Sequence, residues 1–274
     1  MPVPTQVGWL LVLALVVSAV GFYRTVYFVS LGYGFSIAGM GVASLAMFRP
    51  GWAWFSVAQA GLLVTHGLRL GVYLVRREVV PAYRRVQEQS GRPPRQPLGV
   101  SLAIWLSVSV LYVLMFSPAL FALADGAGWA ASPPAWPATV AVIGGLLVMA
   151  AGLAIETVAD RQKARLKSRE PDRFASSGLY AVVRCPNYLG EVLFWVGSFV
   201  AGLPFLTGWL RWVMALVGLV CIVLIMIGST KRLELSQEQR YGARADFQDY
   251  VRTVPVLVPF VPLYTLRHVR VYLE

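Results

Sequence analysis

The sequence predicts an all-α, polytopic integral membrane protein of about seven transmembrane helices, with the N-terminus outside and the C-terminus in the cytoplasm. Three observations carry that prediction. The 274 residues are 57% hydrophobic and only 14% charged. Apolar stretches repeatedly exceed the roughly 18 residues that mark a bilayer-crossing helix. Lys and Arg alternate between rich and poor intervals along the chain. The polar intervals are too short to fold independently, so a single transmembrane domain over 1–274 is expected.

Spans are expected at 8–22, 28–48, 52–75, 100–124, 138–158, 187–205 and 208–229. The first has the length of a signal peptide, but no Lys or Arg precedes it and no clear small-residue cleavage site follows, so it reads as a retained span. Arg49, the Pro/Trp-rich SPPAWP and the tight turn LPFLTG make short connections on one side. On the other side lie RREVVPAYRRVQEQSGRPPRQP, DRQKARLKSREPDRFASSG and the tail KRLELSQEQRYGARADFQDYVRTVP. Of 24 Lys and Arg, 21 fall after spans 1, 3, 5 and 7, whereas Arg49 and Arg211 fall opposite and Arg69 lies within span 3. Positive charge stays on the cytoplasmic side, which fixes the expected orientation. The net charge of +11 is thereby a topology signal, and with no soluble face to present it, nucleic acid is excluded as a partner. Segment 231–252 could form an amphipathic interfacial helix, with PVLVPFVPLY beyond it irregular or membrane-associated. Cys185 and Cys221 match no zinc or disulfide pattern.

Ionisable residues inside spans are costly, and each is a candidate for function. Span 3 carries His66, Arg69 and Tyr73 on one helical face. Arg69 also lies within snorkelling reach of the cytoplasmic end, which would make it structural. Glu156 and Asp160 end span 5 just ahead of Arg161, Lys163, Arg165, Lys167, Arg169 and Arg173. That run is either a solvated topology signal or a phosphate clamp, since Arg forks bind phosphate bidentately and a nearby carboxylate accepts ribose hydroxyls. In RCPNYLGEVLFW, Asn187 and Glu191 stand one helical turn apart, as a helix cap with its dipole partner or as one face presenting an amide and a carboxylate to a planar ligand. The sequence has no P-loop, no G-x-G-x-x-G after a strand, no G-x-S-x-G and no H-E-x-x-H. A bound nucleotide would have to be held by the helices themselves.

SSGLYAVVRCPNYLGEVLFWVGSF resembles the most characteristic stretch of the membrane steroid 5-alpha-reductase C-terminal family, including its bacterial DUF1295 members, whose usual form is close to GLWxYSRHPNYFGE followed by an aromatic-rich span. The likeness extends more weakly over ADRQKARLKSREPDRF, HGLRLGVYLVRR and the tail around FQDYVRTVPVLVPF. It implies an NADPH site in the C-terminal half, about 138–274. Carried over residue by residue, Asn187 and Glu191 grip the nicotinamide carboxamide, with Arg184 and Tyr188 beside them in the same motif. Asp160, Lys167, Arg173 and Arg69 become candidates for ribose and phosphates. Two departures stand out. Cys185 occupies the position where bacterial members usually have His, and the first acidic residue is Glu78, so the carboxylate that eukaryotic steroid reductases use to polarise an enone is missing from the N-terminal half. Tyr73, His66, Tyr33 or Tyr27 would then supply the proton, since a buried Tyr or His can donate to a carbonyl oxygen as it becomes an enolate.

The resemblance therefore implies a membrane NADPH-dependent reductase acting on an activated carbon–carbon double bond of a lipophilic, steroid-, sterol- or prenyl-like substrate that enters from the lipids. Two alternatives remain open. One is an S-adenosylmethionine-dependent methyltransferase of the isoprenylcysteine carboxyl methyltransferase type, whose RHPxYxG segment is related but whose typical Glu-Glu pair is replaced here by the separated Glu234 and Glu238. The other is a non-catalytic lipid-binding member. Arg-heavy, Lys-poor usage points to a bacterial source and hence to a cytoplasmic membrane.

Overall fold

The computed structural model describes residues 3–79, 96–131 and 136–269. The basic residues Arg84, Arg85, Arg92, Arg95 and Arg270 and most of SPPAWP lie outside the described residues. Within them the chain is all helical: α1 (Gln6–Ser18), α2 (Leu31–Met47), α3 (Trp54–Val79), α4 (Leu98–Ala131), α5 (Trp136–Arg169), α6 (Pro186–Gly202), α7 (Trp209–Tyr241) and the short α8 (Ala245–Thr253). Five stretches are long and apolar enough to cross a membrane: Thr25–Met47, Leu98–Trp129, Trp136–Arg169, Pro186–Phe205 and Trp209–Tyr241. Gln6–Phe22 is apolar but shorter. The 26 residues of α3 include Gln59, His66 and Arg69, whose polarity keeps it from that class.

Two expectations about the basic segments change. The run 161–169 is not a loop, because α5 continues through it to Arg169; Arg, Lys, Gln and Leu are good helix formers and nothing in the run stops a helix before Pro171. The tail does not form one helix over 231–252. Instead α7 continues to Tyr241, and α8 begins only after Gly242, Ala243 and Arg244.

The described chain divides into two compact units, residues 1–146 with 199–218 and residues 147–198 with 219–274. In the first, α2 packs on α1, α3 and α4. Small residues let two backbones close: a Cβ on Gly67 would lie 2.4 Å from the Gly34 carbonyl oxygen. Such crossings replace the hydrophobic drive that lipid cannot supply. Polar tethers add to them. Ser18 and Ser109 hydroxyls are 2.9 Å apart, Trp105 Nε1 donates to Leu15 O at 2.9 Å, and Tyr112 Oη donates to Phe28 O. Pro118 lies inside α4 and offers no N–H to Leu114 O. Ser117 Oγ takes that place, donating to Leu114 O at 2.8 Å.

In the second unit the tail 254–269 folds back over the start of α6. Arg184 N donates to Pro255 O at 2.9 Å and Cys185 N to Val256 O at 3.0 Å. Cys185, Val256, Leu257 and Leu266 form a buried cluster on which Tyr188, Leu189, Ile227 and Leu233 pack. Phe174, Tyr241 and Phe247 make a second cluster, which covers the apolar face of α8 through Tyr250 and Val251. That packing holds α8 against the rest of the unit through its apolar face.

Candidate functional site

The second unit organises the motif that the sequence singled out. Pro186 starts α6, a position where its missing N–H costs nothing and its fixed φ suits the helix. Asn187, Glu191 and Trp195 then recur every fourth residue on one face. Glu191 is 4% exposed, and Trp195 Nε1 donates to its Oε1 at 2.9 Å, which fixes the carboxylate. Asn187 is half-buried, and its Oδ1 is shielded from solvent with no hydrogen-bond partner among the described residues.

Gly190 in the same motif has a geometric purpose. A Cβ there would lie 2.6 Å from Gly152 O and 2.7 Å from Glu156 N, and a Cβ on Gly152 would lie 2.5 Å from Gly190 O. Helices α5 and α6 thus cross at backbone contact. The crossing brings Glu156, also 4% exposed, so close that carboxylate oxygens of Glu156 and Glu191 lie within 4.8 Å. Asp160, 8% exposed, follows Glu156 by one turn. The result is an acceptor-rich surface of one amide and three buried carboxylates in helices that read as membrane spans. Such groups persist in a low dielectric only when donors or cations meet them.

The other expected cofactor residues in this unit are engaged elsewhere. Arg184 is 2% exposed; its guanidinium donates to Glu234 Oε1 at 2.8 Å and to Tyr264 O, while Glu234 Oε2 accepts from Leu266 N at 2.8 Å. It ties the motif to the tail. Lys167 Nζ donates to Pro171 O at 2.9 Å, Arg173 O at 2.7 Å and Tyr241 Oη at 2.9 Å, which uses all three ammonium protons. Arg173 is exposed and pairs with Glu170 at 3.0 Å. Arg161, Arg165 and Arg169 are exposed, share a helical face and make no ion pair among the described residues. Tyr188 packs on the Cys185 cluster. Burial pushes the Cys185 thiol up to about 12, against a smaller lowering effect of the Arg184 charge, so the residue is packed as an apolar group.

The first unit holds the remaining candidates. Tyr33 is 7% and His66 0% exposed, with Tyr33 Oη 3.5 Å from His66 Nε2. Two of the expected proton donors are thus neighbours. Arg69 and Tyr73 are half-buried on the same face of α3 as His66. Tyr27 Oη donates to Glu78 Oε2 at 3.2 Å, and Arg24 pairs with the same oxygen at 3.0 Å. One pair escaped sequence reasoning. Arg211, expected in an outer connection, is 2% exposed, pairs with Asp125, donates to Phe205 O at 3.0 Å and lies 4.7 Å over the Phe121 ring. The available signal was Asp125 itself, the only acidic residue between Glu88 and Glu156.

No curated protein and no solved structure matches the chain significantly. Residues 16–254 match the family described as a protein of unknown function, DUF1295, and the chain belongs to that family.

Proposed function

We propose that the protein is a membrane-embedded reductase that uses NADPH to add hydride to an activated carbon–carbon double bond of a lipophilic, sterol- or prenyl-like substrate. The observation that carries this reading is the amide–carboxylate face of α6, where a shielded, unpartnered Asn187 Oδ1 stands one turn from the buried Glu191. A buried acceptor left without a donor costs about 1–3 kcal/mol, which a ligand bearing N–H groups removes. The nicotinamide carboxamide has two N–H bonds and one carbonyl: Asn187 Oδ1 and Glu191 accept the former, and Asn187 Nδ2 donates to the latter. When bound, the cofactor supplies the hydride. The chain orients the ring and excludes water. Asp160 is kept for a ribose hydroxyl. The phosphates are assigned to Lys167 and Arg173, whose contacts with Pro171 O and Glu170 are exposed and exchangeable, together with the exposed Arg161, Arg165 and Arg169. The proton for the second carbon is assigned to Tyr33, His66 or Tyr73, which Tyr33→Phe, His66→Gln and Tyr73→Phe separate by their effect on kcat.

The methyltransferase alternative is less favoured because its typical adjacent Glu-Glu pair is replaced here by the separated Glu234 and Glu238, which pair with Arg184 at 2.8 Å and Arg267 at 2.7 Å. The reading also includes seven crossings, an external N-terminus and a cytoplasmic C-terminus in a bacterial cytoplasmic membrane. Tags at Pro2 and Glu274 reporting the same compartment would remove one crossing. The cofactor itself is tested by thermal shift of the detergent-purified protein with NADPH, NADH and S-adenosylmethionine, where a ligand at 100 times its dissociation constant stabilises by about 2.7 kcal/mol. Glu191→Gln exchanges an acceptor for a donor and should lower NADPH affinity about tenfold, roughly 1.4 kcal/mol. Asn187→Ala and Glu191→Gln should couple in a double-mutant cycle on NADPH affinity. Additive losses of stability with unchanged NADPH affinity would return both residues to capping roles.

A further inference from the structure

The C-terminal tail has features that hydride transfer does not use. Its inward side chains Val256, Leu257 and Leu266 pack with Ile227 and Leu233 of α7. Those two residues bracket Lys231, the first charged residue after Arg211. The tail therefore lies at the depth where α7 passes from its apolar stretch into its charged one, the level of a bilayer's headgroups.

On its outer side the tail carries an apolar projection. Phe260 is 96% exposed and Val258 and Val261 are 40% and 45% exposed. Backbone bonds close the turn, with Val256 N donating to Leu263 O at 2.8 Å and Leu263 N to Val261 O at 2.7 Å. Phe260 has φ +62, the only positive φ at a non-glycine residue among those described, and a bulky side chain rarely adopts that conformation without an imposed reason. At the base of the tail a cavity of about 360 Å³ is lined by Val251, Arg252, Tyr264, Thr265, Arg267 and His268. It offers two guanidinium groups, an imidazole and two hydroxyls, and no carboxylate lines it. Arg267 is anchored by Glu238, whereas Arg252 is exposed and makes no ion pair among the described residues.

We propose that the tail 254–269 is a docking site for an anionic phospholipid. Arg252, Arg267 and Thr265 receive the phosphate of the headgroup, and Val258, Phe260 and Val261 enter the acyl boundary. Cations beside an aromatic projection match the two faces of such a lipid, its negative headgroup and its apolar chains. A free anion would satisfy only the cavity. It would leave the exposed apolar turn without a role.

The test uses the full chain in detergent, with binding measured for dioctanoyl phosphatidylglycerol, dioctanoyl phosphatidylcholine and inorganic phosphate. Phosphatidylglycerol should bind at least tenfold more tightly than phosphatidylcholine, and salt should weaken it. Arg252→Gln should weaken phosphatidylglycerol about fivefold, the factor expected for one cation at an anionic surface, and leave phosphatidylcholine unchanged. Phe260→Ser should weaken both lipids. Because Arg252 and Phe260 are exposed, both variants should fold. Equal binding of the two lipids, an unaffected Arg252→Gln, or inorganic phosphate competing as well as the lipid would overturn the proposal. So would a Phe260→Ser variant that changes the oligomeric state without changing lipid binding, since the projection would then join two copies of the chain.

Discussion

Substituting Gly190 by Ala tests the close crossing of α5 and α6 that brings Glu156 beside Glu191. The new Cβ would meet Gly152 O at 2.6 Å, Glu156 N at 2.7 Å and Glu156 Cβ at 2.9 Å. Ordinary carbon contacts lie near 3.5–4.0 Å, so the helices must part by about 1 Å at that point. Overpacking of this kind costs about 1–3 kcal/mol, or roughly 2–12 °C in Tm for a protein of this size. Gly152→Ala obstructs the same contact from the other side, with its Cβ 2.5 Å from Gly190 O. Once either variant has opened the crossing, the second methyl has room, so the double variant should lose much less than the sum. Gly144→Ala, on the same helix α5, is the control: its Cβ meets nothing within 4 Å, and Ala should be neutral or stabilising there. Thermal melts in detergent decide stability, and NADPH titration reads whether parting the helices by about 1 Å disrupts the site. A Gly190→Ala protein that melts like the wild type, or additive losses in the double variant, would show that backbone contact is not what holds Glu156 to Glu191.

Three other outcomes follow from the same geometry. Cys185 should resist a water-soluble maleimide at pH 8 until the protein is unfolded; because its thiol rises from 9.0 to about 12 on folding, its contribution to stability is full below pH 9 and lost as pH climbs towards 12, a slope that Cys185→Ala should remove in pH-dependent melts. Asp125→Ala strands the buried Arg211 charge and should cost about 3–5 kcal/mol, whereas Asp125→Ala with Arg211→Met should recover much of it; equal destabilisation by the double variant would refute pairing as the cause. Arg184→Met should lower Tm by a similar mechanism, by exposing Glu234 to burial without a counter-charge, and Glu234→Met should rescue it, whereas a residue gripping cofactor phosphate would lose NADPH affinity with Tm intact.

Helix existence was legible in the sequence because apolar length is a direct signal, and every expected span coincides with helix. Helix ends were not. The bilayer limits the apolar stretch but not the helix, so α5 and α7 run on through Arg169 and Tyr241 where composition alone suggested a loop or a separate segment. Charge was the weaker guide to the site for a related reason. Lys167 and Arg173 stand in a run of cations that looks uniform in sequence, yet in the fold one donates to carbonyls of the segment that follows α5 and the other pairs with Glu170. Partners so placed by a turn have no periodicity to betray them. Asp125 and Arg211 are 86 positions apart, and nothing local announces such a pair except the rarity of an acidic residue there.

The segment RCPNYLGE separates by side-chain geometry into two tasks. Arg184 and Cys185 bind backbone groups of the tail, Arg184 also binds the carboxylate of Glu234 in α7, and Tyr188 packs on the Cys185 cluster; these residues fix where α6 begins. Gly190 sets how closely α6 meets α5. Asn187 is left as the member whose hydrogen-bonding capacity the fold does not use, since its Oδ1 has no partner among the described residues, and it stands one turn from the buried Glu191 that Trp195 Nε1 holds in place. A motif in which most members anchor one helix, and one amide on it keeps an unused acceptor a turn from a buried carboxylate, is the arrangement expected of a recognition face, because positions on a packed helix are held more precisely than positions on a loop.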